Sequence, residues 1–177
     1  MKKTITIIGL FITFFLLYFI QVNFFNWFTI NGISPNIFII LVLFVGLFAG
    51  KWVGTSLGIS FGIILDLFTG FRVGIAGLLL GLVGYAGGYL DKSFSKDSKL
   101  TIILMCMGAT LFYEAGIYGS IVLFQKAQLE IIPFIKTVAI EILYNSILVI
   151  ILYPIMQKTG YSIEETFKGN NILTRYF

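Results

Sequence analysis

Three carboxylates stand inside apolar stretches of this chain: Asp66, Glu114 and Glu141. An ionisable group in hydrocarbon is expensive and by default points to function. Three uses suit such groups: a proton-sharing acid dyad of the aspartyl type, the lining of a polar cavity for a ligand or for protons, or protonated acids that fasten helices together. Glu141 has Tyr144 and Asn145 three and four residues on, on the same helix face and able to hydrogen-bond it. Glu114 sits in Tyr113-Glu114-Ala115-Gly116, with Tyr118 four residues on. Asp66 is followed by Arg72, and an Asp66–Arg72 pair that closes a tight turn is the structural alternative there. Catalysis has little to work with. A hydrolase wants a base beside a nucleophile, or metal ligands at set spacing, whereas this chain has no histidine and one cysteine. That excludes an internal disulfide and a structural zinc site, leaves Cys106 as a small buried residue, and implies no enzyme, no cofactor and no metal.

The elements that would position these acids follow from composition. With 58% hydrophobic residues, 11% charged and a mean hydropathy of +0.99, the chain is an integral membrane protein. A spanning helix needs roughly 20 apolar residues, with a range of about 17–25, so 177 residues divide into an all-α bundle of about six spans with no separate soluble domain. The segments are 5–20, 35–49, 53–68, 73–90, 100–124 and 133–156. The first lacks a small-residue cleavage site and reads as a retained span rather than a secretory signal. Pro35–Phe68 as one helix would be about 51 Å long at 1.5 Å per residue, so a break is required near Gly50-Lys51-Trp52. Pro35 is expected to open the second span and Pro154 to lie near the end of the sixth. Residues 157–177 form an expected short, partly ordered tail. Between the first two spans, Phe24, Phe25, Trp27 and Phe28 read as an interfacial belt, and Asn31-Gly32 as a turn.

Glycine recurs every fourth residue at Gly46, Gly50, Gly54, Gly58 and Gly62, and the next step of the series is Asp66. Such small-xxx-small rows let another helix backbone come close. In the fourth span Gly70, Gly74, Gly77, Gly81, Gly84 and Gly88 step by 4, 3, 4, 3 and 4. One reading confines both rows to packing within the bundle; the other offers part of the small-residue surface to a helix of a second protein.

Charge sets orientation. With the N-terminus in the cytoplasm, the inner side receives Lys2, Lys3, Lys51, Lys92, Lys96, Lys99, Lys158, Lys168 and Arg175, and the outer side only Arg72, Lys126 and Lys136. This positive-inside asymmetry places both termini in the cytoplasm. The net charge of +4 then calls for anionic inner-leaflet lipid and no nucleic acid.

The run from Gly54 to Gly74, with Gly54, Gly58, Gly62, Asp66, Gly70 and Gly74 in register, resembles the MreD family of rod-shape-determining membrane proteins. Pro35, Gly84-Tyr85 with Gly88, and Pro154 agree with it, as do the length and six-span hydropathy; Ile59-Ser60-Phe61 departs by spreading the family's G-F pattern. The resemblance implies a non-enzymatic subunit of the cell-elongation machinery that binds MreC, a single-span protein, within an assembly including MreB, RodA and a transpeptidase. It also implies a six-helix fold similar to the substrate-binding subunits of energy-coupling-factor vitamin transporters, which keeps a small-molecule or lipid-binding function as the alternative.

Overall fold

A computed structural model of the chain describes residues 2–70, 72–91, 96–125 and 128–169. Six helices alternate in direction: α1 (Lys2–Asn23), α2 (Ile37–Ala49), α3 (Lys51–Thr69), α4 (Ile75–Leu90), α5 (Lys99–Gln125) and α6 (Ile131–Lys168). A 3₁₀ turn covers Phe25–Phe28 after α1. The chain is a helical membrane bundle, in which α1, α3, α5 and α6 are long and apolar enough to cross a bilayer. One end of the bundle carries Lys2, Lys51, Asp91, Lys96, Lys99 and Lys168; the other carries Asp66, Arg72 and the α1–α2 connection.

The centre is α2. All 13 of its residues are buried, and at 1.5 Å per residue it is about 20 Å long, some 10 Å short of the hydrocarbon thickness. A short helix is tolerable there because its surroundings are protein: irregular backbone at membrane depth must be enclosed by protein or line a cavity. The helix ends at Gly50, whose φ of +98° caps α2 and opens α3 at once, a conformation that disfavours any side chain. Pro35 lies two residues ahead of α2, outside the helix, and Asn36 between them is extended. At the connection before it, Asn31 and Gly32 take positive φ, and Ile30 and Ile33 exchange both backbone hydrogen bonds at 3.0 Å.

α4 packs against α3 and α2 through the glycines. A Cβ built on Gly58 would stand 2.4 Å from the Leu80 carbonyl oxygen, one on Gly62 2.4 Å from Gly77 Cα, one on Gly84 2.2 Å from the Gly54 carbonyl oxygen, and one on Gly88 2.1 Å from the Lys51 nitrogen. Gly46 of α2 joins the same seam, its Cβ position lying 2.3 Å from the Gly84 carbonyl oxygen. The two rows thus face each other, and α2–α4 occupy the seam that sequence also offered to a foreign helix. Gly74 is a correction to the row: it caps α4 with φ +105°, and a Cβ there would meet nothing within 4 Å. Gly70 likewise ends α3 at φ +68°.

By contrast α1 is peripheral, burying only Leu10 and Phe14. It is held by aromatic contacts, Phe14 stacking on Phe61 at 4.5 Å and Phe11 meeting the same ring edge-on at 5.1 Å. Ile8, Ile12, Phe15, Leu16 and Phe19 remain exposed, which is the lipid-facing stripe of a spanning helix.

α6 corrects two expectations. Pro154 lies inside it rather than at its end, and the expected tail is helical as far as Lys168; residues 170–177, with Arg175, lie outside the described residues, as do Lys92 and Lys126. Proline forfeits one backbone bond, but contacts beyond it hold the helix. Gly160 lies against Phe48, Tyr161 meets that ring edge-on at 5.8 Å, and Met156, Ile163 and Glu164 are buried. Glu164 and Lys168 then close an ionic cluster with Asp91 and Lys96. Lys96 Nζ reaches Asp91 Oδ1 at 3.1 Å and also pairs with Glu164; Lys168 Nζ reaches Asp91 Oδ2 at 2.7 Å and donates to the Leu47 carbonyl at 2.9 Å. Two of the cations assigned above to lipid are therefore spent on buried carboxylates.

Candidate functional site

The three acids singled out from sequence meet at the end of the bundle opposite the ionic cluster. There a cavity of about 400 Å³ lies over the start of α2, and Asp66, Glu114 and Glu141 all line it, with Gln21, Asn36 and Tyr113. Its position follows from the shortness of α2: the non-helical Ser34-Pro35-Asn36 segment precedes the helix and lines the space beside it. α3 supplies Asp66 one turn before its end, α5 supplies Tyr113 and Glu114, and α6 supplies Glu141.

The roles differ. Asp66 is 2% exposed, and its Oδ2 accepts from the Gly74 N–H at 2.7 Å and the Ala76 N–H at 3.1 Å. These are donors at the start of α4 that the helix cannot satisfy itself, so the carboxylate of one helix caps the next. Arg72 makes no ion pair with it among the described residues; its guanidinium lies over the Phe124 ring at 4.7 Å. The expected Asp66–Arg72 pair is thus replaced by a carboxylate–backbone anchor, because two amide donors lie nearer the carboxylate than any flexible cation must reach. Asp66→Ala is expected to lower stability by about 1–2 kcal/mol, and Arg72→Gln by less than about 0.5 kcal/mol. A double-mutant cycle read by thermal unfolding in detergent should be additive; coupling above about 1 kcal/mol would restore the ion pair.

Asn145 is fully buried and joins three elements. The Asn36 N–H donates to its Oδ1 at 2.9 Å, and its Nδ2 donates to Thr110 Oγ1 at 3.0 Å. Gln21 ties α1 to the same backbone, donating to the Pro35 carbonyl at 2.6 Å and accepting from the Ile37 N–H at 3.3 Å. Tyr144 donates to the Phe28 carbonyl, and the Tyr118 hydroxyl accepts from the Glu130 N–H at 2.7 Å. Glu141 is 5% exposed, and its Oε1 has no protein partner; nor does Asn36 Oδ1.

Sequence reasoning did not single out Gln21, Asn36 or Tyr113. Only proximity marked them, Tyr113 beside Glu114 and Asn36 after Pro35. Nor did sequence reasoning single out the ionic cluster, of which only Lys96 and Lys168 enter, as inner-side cations, although Glu164 and Lys168 have the four-residue spacing of a helical pair.

A second concavity lies between α4 and α5, an apolar groove of about 820 Å³. Leu82, Leu104 and Phe112 flank it and are exposed, and Ala86, Gly108 and Ala109 keep part of its wall low. No charged side chain lines it. Among the described residues no group of histidine, cysteine, aspartate and glutamate is placed to hold a metal ion.

No curated protein and no solved structure matches the chain, so the likeness to vitamin-transporter subunits gains nothing from them. The family model described as rod shape-determining protein MreD matches residues 1–159. A bundle of apolar helices sewn together by glycines, with that match over most of its length, places this multi-pass membrane protein in the MreD family of rod shape-determining proteins.

Proposed function

We infer that the chain is a non-enzymatic scaffold of the cell-elongation machinery, set in the inner or plasma membrane with both termini in the cytoplasm. Its partner is MreC, and through MreC it helps coordinate peptidoglycan synthesis and cell shape with MreB, RodA and a transpeptidase. The observation that carries this reading is the α4–α5 groove. Helices associate in lipid where small residues permit close approach, and the glycine seam is already filled by α2–α4. The groove is a small-residue surface that the bundle leaves open, uncharged along its length and so suited to a single apolar span rather than to a polar ligand.

Gly108 gives the cleanest test, because a Cβ there meets nothing within 4 Å. Gly108→Leu puts bulk into the groove from a position whose Cβ has open space around it. Co-purification with MreC should fall at least tenfold while insertion and thermal stability hold. Undiminished co-purification sinks the groove as the docking face, and the same loss from a change on α1 alone, such as Ile12→Trp, would move the interface there.

A further inference from the structure

We propose that the polar cavity at the α2 start binds a small organic ammonium ion, independently of MreC. Its lining contains three acids and no lysine or arginine. Asp66 is already committed to the α4 backbone, with both of its close donors in place. What remains are two buried oxygens without a partner, Glu141 Oε1, on a residue 5% exposed, and Asn36 Oδ1, with Glu114 beside them. Buried polar atoms without partners are rare and call for an occupant. Both orphans can accept, and a donor that also carries positive charge satisfies them while favouring ionised carboxyls beside it, so a cation that carries N–H groups fits better than a neutral alcohol. A bare metal ion fits less well, since among the described residues no group of three histidine, cysteine, aspartate or glutamate side chains is placed to hold one. The volume of about 400 Å³ lies within the range of small-molecule sites. Gln21, Ser34 and Thr69 bring the rim to partly or fully exposed positions, which opens the cavity toward the aqueous face at that end.

The site is distinct from the groove, and so are the tests. Wild-type protein in phosphatidylcholine nanodiscs is titrated with butane-1,4-diamine by calorimetry, with butane-1,4-diol and succinate as neutral and anionic counterparts of the same length and empty nanodiscs as blank. One saturable site for the diamine is expected, at least tenfold tighter than for the diol, with no binding of succinate. Glu141→Gln and Glu114→Gln should each weaken it at least tenfold, whereas Gly108→Leu should leave it unchanged. If the glutamine variants do not fold, the wild type decides alone: the diamine should protect Glu114 and Glu141 from labelling by a hydrophobic carbodiimide, read by mass spectrometry. Absence of saturable binding, equal affinity for the diol, undiminished binding by both folded variants, or labelling unaffected by the diamine would each overturn the proposal.

Discussion

Gly84→Leu is expected to abolish the folded protein. Glycine in an exposed helix interior normally costs about 1 kcal/mol relative to alanine, so replacing one should help; at Gly84 the sign reverses. A Cβ would stand 2.2 Å from the Gly54 carbonyl oxygen and 2.5 Å from its carbon, both backbone atoms of the facing helix that cannot turn aside as a side-chain end would. Even Gly84→Ala must push α3 and α4 apart, and overpacking of well-packed cores costs about 1–3 kcal/mol, occasionally more. The full leucine also separates α4 from Gly46 of α2, since that seam has three sides. Expression with a fluorescent C-terminal fusion, followed by size-exclusion profile and thermal unfolding, should show loss of the monodisperse peak for Gly84→Leu and a lowered midpoint for Gly84→Ala. Gly108→Leu and Gly119→Leu, where an added Cβ meets open space, should match the parent. Normal behaviour of Gly84→Leu would mean that α3 and α4 are not in backbone contact. The comparison also bears on partner binding: loss of MreC from a Gly58 or Gly62 variant reports a disrupted bundle rather than an interface.

Glu164→Gln is expected to cost about 3 kcal/mol, although it removes only a charge. Asp91, Lys96 and Glu164 are each less than a tenth exposed, and among the described residues two lysines pair with the two acids. Taking one acid away leaves an uncompensated buried cation, which typically costs about 3–5 kcal/mol; the lower figure applies here because Asp91 still touches both lysines. Adding Lys96→Met restores neutrality and should recover part of the loss, with a coupling of about 1–3 kcal/mol by thermal or denaturant unfolding in detergent. Acid provides an independent arm. Burial by itself raises the Asp91 carboxyl, but the hydrogen bond and charge of Lys168, with Lys96, outweigh it and hold the group below its ordinary 3.8. A carboxylate depressed in the folded state contributes stability that is complete above the unfolded value and is lost as pH falls through the folded one. The wild type should therefore lose stability below about pH 3.8, and Asp91→Asn should lack that part of the decline. Additive energies, or an acid profile unchanged in Asp91→Asn, would show that the cluster is not closed in solution.

Much of the site was legible as residue type. Acids in apolar spans are rare enough that Asp66, Glu114 and Glu141 could be named without coordinates, and their convergence on one cavity was among the uses foreseen. What could not be read was division of labour. Asp66 and Glu141 look alike in sequence, yet one is saturated by backbone donors and the other has an oxygen with no partner. That difference depends on where the α4 start falls relative to α3, a matter of two turns and a glycine with positive φ rather than of any local pattern. Likewise Pro154 is a strong local stop signal, overridden because Phe48, Asp91 and Lys96 wait beyond it.

Hydropathy and helix periodicity by themselves determined that this is a membrane bundle with glycine surfaces, since hydrocarbon admits only chains that satisfy their own backbone and small residues are where helices can meet. Tertiary structure decided which helix each glycine row meets, and so closed the seam while leaving the α4–α5 groove open. It also decided that charges distant in sequence would neutralise one another at one end while acceptors accumulate at the other. The physical reason is the same in each case: a periodic pattern specifies a face, but only packing specifies what stands opposite it.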